Sequence, residues 1–230
     1  MANKVQGINT KGSPFYITEK DLYTRVAIFS SHTTEKHPLI PILAKYGRDS
    51  VYIINTDPNS PLYLDKESCK NLFINKLDFT HVDFYTTEDV LEKARDEKEF
   101  AKIIASNSLA RGFKKSIMLI NLVGAKASHF EIVSEIFWRE IANNERNIIL
   151  QAKPLFIISG LIEYLHEKNV NLSNMFSTMS SQTRALGIPF VFIESSDGVY
   201  VGENNSNISF VLSNIGHKIH ASDLNISPVH

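Results

Sequence analysis

Five short apolar runs, rich in β-branched and aromatic residues, punctuate this chain, and most are separated by stretches long enough for a helix. They are Arg25–Ser30 (RVAIFS), Ser50–Asn55 (SVYIIN), Ser116–Val123 (SIMLINLV), Leu155–Ser159 (LFIIS) and Ile188–Ile193 (IPFVFI). Runs that are apolar nearly throughout predict strands covered on both faces, the pattern of a parallel sheet. Between them the period changes. Phe130, Val133, Phe137 and Ile141 recur at helical spacing within Phe130–Asn143, with Trp138 beside the stripe. A short helix after the first run ends at Gly47, and Met175–Leu186 ends at Gly187. Thr86–Ser106 reads as an exposed amphipathic helix whose charge run, Glu92–Glu99, mixes both signs. Thr56-Asp57-Pro58-Asn59 is a turn, and Ser60–Thr80 reads as mixed loop and short helix. Val199–Gly202 and Phe210–Leu212 read as late short strands. Strands alternating with helices predict an α/β fold of three layers around a mostly parallel sheet.

Length and charge narrow the function classes. The 230 residues are enough to bury one sizeable core without staples. Residues 1–14 read as a linker or cloning junction, and 15–230 as a single domain. The 24 Lys+Arg against 25 Asp+Glu argue against a polybasic nucleic-acid binder. No apolar stretch approaches the ~20 residues of a membrane span, and the polar first 15 residues do not resemble a signal peptide. Cys69, the single cysteine, forms neither an internal disulfide nor a Cys-based zinc site. It has no His at fixed spacing, so nothing supports a catalytic thiol. The eight His are scattered, and no metal set is expected. His32 and His37 share a loop, while His217 and His220 flank a strand end.

In α/β sheets, sites form in loops beyond the carboxyl ends of the strands. The first such loop, Ser30-Ser31-His32-Thr33-Thr34-Glu35-Lys36-His37, has the position and length of a phosphate-binding P-loop, with Lys36 at the phosphate-contacting position. It has no glycine; none occurs between Gly12 and Gly47. A P-loop turns its backbone N–H groups onto the phosphates through positive-φ positions that glycine occupies cheaply. Here Ser30 takes the first glycine position, and Glu35 sets a carboxylate just before the Lys. His37 replaces the Ser/Thr whose hydroxyl would hold Mg²⁺.

Further on, the order of motifs becomes specific. Lys153-Pro154-Leu155-Phe156-Ile157-Ile158-Ser159-Gly160 is followed by Thr183-Arg184-Ala185-Leu186-Gly187-Ile188-Pro189-Phe190. Ser213-Asn214-Ile215-Gly216-His217-Lys218-Ile219 comes later. This order resembles the FtsK/SpoIIIE-type ATPases, which carry a Walker B strand ending in an acidic pair, then a helix ending in an R-A-x-G-I-H-like segment that runs into a sensor strand. A segment like N-I-P-T-R-I follows. Within that family the chain looks like the C-terminal ATPase-like module of a type VII secretion coupling protein, EssC/EccC-like. The resemblance covers Leu155–Ile219 well and Arg25–Asp57 loosely. Ser60–Gly124 has no clear counterpart.

The resemblance implies a RecA-like P-loop NTPase fold that has lost its chemistry. The acidic pair that would organise Mg²⁺ and the attacking water reads Ser159 and Gly160, so no catalytic residue is assigned. Ser30, Glu35, Lys36 and His37 become vestigial nucleotide-binding positions. Glu163, Arg184, Glu194 and Ser195 become sensor or interface positions, with Glu194 adding negative charge where a γ-phosphate would lie. No cofactor is expected; ATP and Mg²⁺ belong to an alternative reading, a divergent working ATPase using Lys36 with Glu163 or Glu194. A third reading is an unrelated α/β protein-binding module. The implied partners are neighbouring ATPase modules of one polypeptide, a homo-hexamer of the full protein, and secreted protein substrates. Nucleic acid and direct membrane insertion are not expected. The implied location is the cytoplasmic face of the bacterial membrane, this segment itself being soluble and the anchor lying elsewhere in the parent.

Overall fold

The computed structural model of the chain describes residues 4–9, 11–30, 37–47, 50–60, 62, 65–86, 88–89, 115–126, 130–131, 155–162, 164, 187–195, 213 and 215–226. Among the described residues nine strands form one sheet: β1 (Lys4–Asn9), β2 (Pro14–Thr18), β3 (Val26–Ser30), β4 (Ser50–Asn55), β5 (His81–Tyr85), β6 (Ser116–Asn121), β7 (Leu155–Ser159), β8 (Phe190–Ser195) and β9 (His217–Ile226). Their spatial order is β2-β1-β9-β3-β8-β7-β4-β6-β5. From β9 to β5 every neighbouring pair is parallel, whereas β1 runs antiparallel to both β2 and β9. The helices among the described residues include α1 (Glu19–Leu22), α2 (Leu39–Tyr46) and α3 (Lys66–Asn71), which runs into a π-helical turn at Leu72–Lys76.

All five apolar runs are strands, and all lie in the parallel part of the sheet. The first starts at Val26 because Arg25 is left-handed, with φ of 62°. The last spans Phe190–Ser195, two residues later than expected. Pro189 has no N–H to give to a ladder, and its carbonyl accepts from Phe156 N–H at 3.0 Å. The third, for which the resemblance offered no counterpart, is β6, paired with β4. Lys4–Asn9 lies inside the stretch expected to be a linker, yet it is a paired strand with Val5 fully buried. Its reason is the alternation Lys4, Gln6, Ile8 against Val5 and Gly7, which suits a half-covered strand. Phe130 and Glu131, which open the expected helix Phe130–Asn143, are helical; the rest of it, the helix Met175–Leu186, most of Thr86–Ser106, and the late strands 199–202 and 210–212 lie outside the described residues.

The two sheet faces are built differently. Ile28, Val51, Ile53, Ile117, Leu119, Leu155, Ile157, Val191 and Ile193 form an aliphatic core with Ile42 and Leu43 of α2. On the opposite face, side chains one residue out of phase form a row of rings. Tyr52 and Phe156 stack at 5.0 Å, Phe156 and Phe190 at 6.4 Å, and Phe190 meets Phe192 at 4.7 Å.

The order fixes where a site can form. One strand, β8, separates β3 from β7, as a RecA-like P-loop sheet requires. From β3 the chain crosses to β4 on one side, and from β8 it crosses back past β3 to β9 on the other. That reversal places the crevice at the carboxyl end of β3.

Candidate functional site

The expected phosphate loop begins at Ser30, the last residue of β3. Ser30 is buried and stands level with Ser195 on β8 and Ala221 on β9. Glu35 and Lys36 lie outside the described residues, as do His32, Glu163 and Arg184. His37 is described and fully buried. Its Nδ1 accepts the N–H of Leu39 at 3.1 Å, at the start of α2. A nitrogen accepting a main-chain N–H carries no proton, so the neutral ring holds its proton on Nε2. That Nε2 lies 3.5 Å from Oδ2 of Asp57. The residue at the expected Mg²⁺-hydroxyl position is thus a helix cap and a link to the loop after β4.

Ser159 and Gly160, at the Walker B acidic positions, are held by that same loop. The Ser159 carbonyl accepts both the N–H and the hydroxyl of Thr56, each at 2.9 Å. Gly160 donates its N–H to Ile193 at 2.8 Å and adopts φ of 76°, which favours glycine. A Cβ on Gly160 would meet Asp57 at 2.6 Å from Cβ, 2.7 Å from N and 2.8 Å from Cα. The backbone conformation strains any side chain at this position, and the Asp57 contact leaves no room for a Cβ unless the two loops shift.

Glu194 follows the same logic. It is 1 % exposed, and its Oε2 accepts the N–H of Ile162 at 3.0 Å. The carboxylate therefore sits on the helical residues 161–162 that follow β7, where the orphan N–H groups and dipole of a helix start favour negative charge. Ser195, one residue on, is half-buried beside Ser30.

Sequence reasoning missed a polar shelf here. Ser159, Asn55 and Asn121 are level across β7, β4 and β6, and all three are buried. Asn55 Nδ2 donates to Asn121 Oδ1 at 3.3 Å and to the Asp57 carbonyl at 3.2 Å. Asn121 Nδ2 reaches the Leu62 carbonyl at 3.3 Å. Asn55 Oδ1 and Ser159 Oγ are buried with no hydrogen-bond partner among the described atoms. The available signal was that three core strands each end in Asn or Ser; Asp57 read only as part of a turn. The shelf offers amides and a hydroxyl, while Asp57 Oδ1 already accepts the N–H of Asn59 at 2.8 Å. Among the described residues no three His, Cys, Asp or Glu side chains group to hold a metal ion.

Tyr164 ties this end of the sheet to its neighbour, its hydroxyl donating to the Ala125 carbonyl at 3.1 Å. Burial, reinforced by the charge of Glu131, pushes its phenol up to about 12 from an ordinary 10.0. A raised value in the folded state means folding favours the protonated phenol. The contribution is complete below pH 10.0 and is lost as pH climbs towards about 12. Tyr164→Phe is expected to flatten the alkaline fall in stability across that window, measured by urea unfolding at stepped pH.

No family model matches the chain, and no curated protein does. Among solved structures it is similar to Thermomonospora curvata EccC (ATPases 2 and 3) in complex with a signal sequence peptide. Identity there is 10 % over 93 % of this chain and 32 % of that one, with a TM-score of 0.42. It is also similar to the cytoplasmic domain of EssC, at 11 % identity over 95 % of this chain and 37 % of that one, again with a TM-score of 0.42. The chain spans about a third of each. The fold assignment itself rests on strand order and register.

Proposed function

We propose that this chain is a catalytically silent RecA-like module of a type VII secretion coupling ATPase, acting in assembly of the motor and in engagement of secreted protein substrates. Gly160 carries the silent-site part of this reading. The position that would supply a Walker B acid has neither a carboxylate nor room for one beside Asp57. His37 and Glu194 support it, each committed to capping a helix. The secretion assignment draws on the motif order across Leu155–Ile219, framed by a sheet in which β8 separates β3 from β7. In this reading the module docks on neighbouring ATPase modules of a longer, membrane-anchored polypeptide that assembles as a hexamer. Among the described residues no helix is long and apolar enough to cross a membrane.

Ligand-induced stabilisation tests the silent site. A site binding ATP–Mg²⁺ with a Kd of about 10 μM would gain about 2.7 kcal/mol at 1 mM ligand. For a domain of this size that is a rise in Tm of roughly 5–10 °C. The expected rise is below about 1 °C by differential scanning fluorimetry, and a rise of several degrees contradicts the proposal.

A further inference from the structure

A groove along β9 has in its lining none of the candidate-site residues described above. β9 pairs with β3 through His217–Ala221 and with β1 only from Ala221 onwards. The β1 ladder shifts register between Ile8 and Asn9 and ends at the Asn9–Ala221 pair, after which the chain turns. Asn9 Oδ1 accepts the N–H groups of Lys11 at 3.0 Å and Ser13 at 2.9 Å, closing that turn. Among the described residues no strand therefore lies on the second flank of His217–His220. A groove of about 450 Å³ occupies that flank, lined by all four consecutive residues. Consecutive strand side chains point to opposite faces, so a cavity touching all four follows the main-chain edge rather than a sheet face. His217 N–H donates to Arg25 on β3 at 3.2 Å. Alternation then directs the main-chain groups of Lys218 and His220 into the groove.

We infer that this open edge of β9 docks an extended, acidic peptide segment, added as a further strand. Main-chain groups at a bare edge supply a template for strand addition. Charge selects the occupant: Lys11, Lys218, His217 and His220 line the groove, and Asp21 is its single acid. That carboxylate is already engaged, with Oδ2 accepting the Thr18 N–H at 2.7 Å and hydroxyl at 2.6 Å, and Oδ1 lying 3.8 Å from His217 Nε2. Lys218 and His220 are two apart and project on one side of the sheet, where the His220 ring lies flat on Phe29 at 5.2 Å. The sequence pattern that fits is acidic side chains at alternate positions over about four residues.

The test is fluorescence anisotropy of the whole chain with a labelled hexapeptide alternating Val and Glu. Three probes accompany it: the Val/Lys peptide, a Val/Glu peptide N-methylated at alternate residues, and the chain variants Lys218→Glu and Lys11→Glu. Both lysines are exposed, and matched thermal midpoints establish that the variants are folded. Expected is saturable binding of Val/Glu, weakened at least about tenfold by either substitution and by N-methylation, with no binding of Val/Lys. The proposal is overturned if Val/Glu does not bind, or if neither folded variant weakens it. Equal binding of the N-methylated peptide would also overturn it, because attraction of charge alone needs no main-chain pairing. The inference holds or fails separately from the silence of the nucleotide site.

Discussion

Gly160→Ala is expected to lower the free energy of unfolding by about 2–5 kcal/mol, read as a reduced urea midpoint at unchanged m-value. Two effects add. A side chain at positive φ costs roughly 1–2 kcal/mol, and Gly160 sits at 76°. A Cβ within 2.6–2.8 Å of the Asp57 backbone and Cβ must push apart two loops. Forced overpacking of that kind costs about 1–3 kcal/mol. Gly124→Ala separates the two effects, since Gly124 has the same φ of 76° and nothing within 4 Å of its would-be Cβ. It should lose only the roughly 1–2 kcal/mol of backbone strain. The functional corollary is that Gly160→Glu, which writes the missing acid back, destabilises at least as much as alanine and yields no ATP turnover. If Gly160→Ala cost no more than Gly124→Ala, the Asp57 contact would not be limiting, and position 160 could hold an acid.

Phe156→Ala should cost about 3–5 kcal/mol, the usual range for removing a large buried ring. Phe156 is 2 % exposed and lies in the middle of the aromatic row, between Tyr52 and Phe190. Because β7 joins β4 to β8, the loss falls on the strand that unites the two halves of the sheet. A second readout comes from Tyr52, whose phenol is pushed well above its ordinary range by burial and by the charge of Asp83. Opening the stack hydrates that phenol, so its ionisation moves to lower pH in an ultraviolet difference titration. A cost near 1 kcal/mol, with Tyr52 unmoved, would mean that the row collapses around the gap.

These residues also show what the sequence made readable. β3, β4, β6, β7 and β8 are covered on both faces, so each appears as an unbroken apolar run. β1, β2, β5 and β9 lack that signature because partners, not composition, decide them. HVDFY at the β5 edge and HKIHASDLNI along β9 are mixed in polarity, and His217, Lys218 and His220 are exposed even within a strand. The missing acids at Ser159 and Gly160 were visible from their place at the end of an apolar run. The occupancy of the site was not, because Asp57, His37 and Glu194 acquire their roles across distant loops. Asp57 meets Gly160 and His37, and Glu194 meets Ile162, only once β4, β7 and β8 lie side by side. No local pattern encodes those contacts.

Isothermal titration of the chain with ATP–Mg²⁺ to millimolar concentration, alongside Lys36→Ala, tests the central claim most directly. A silent RecA-like module gives no saturable heat in either protein. A micromolar Kd in the unmodified chain that Lys36→Ala abolishes would contradict it, and would establish a working nucleotide site.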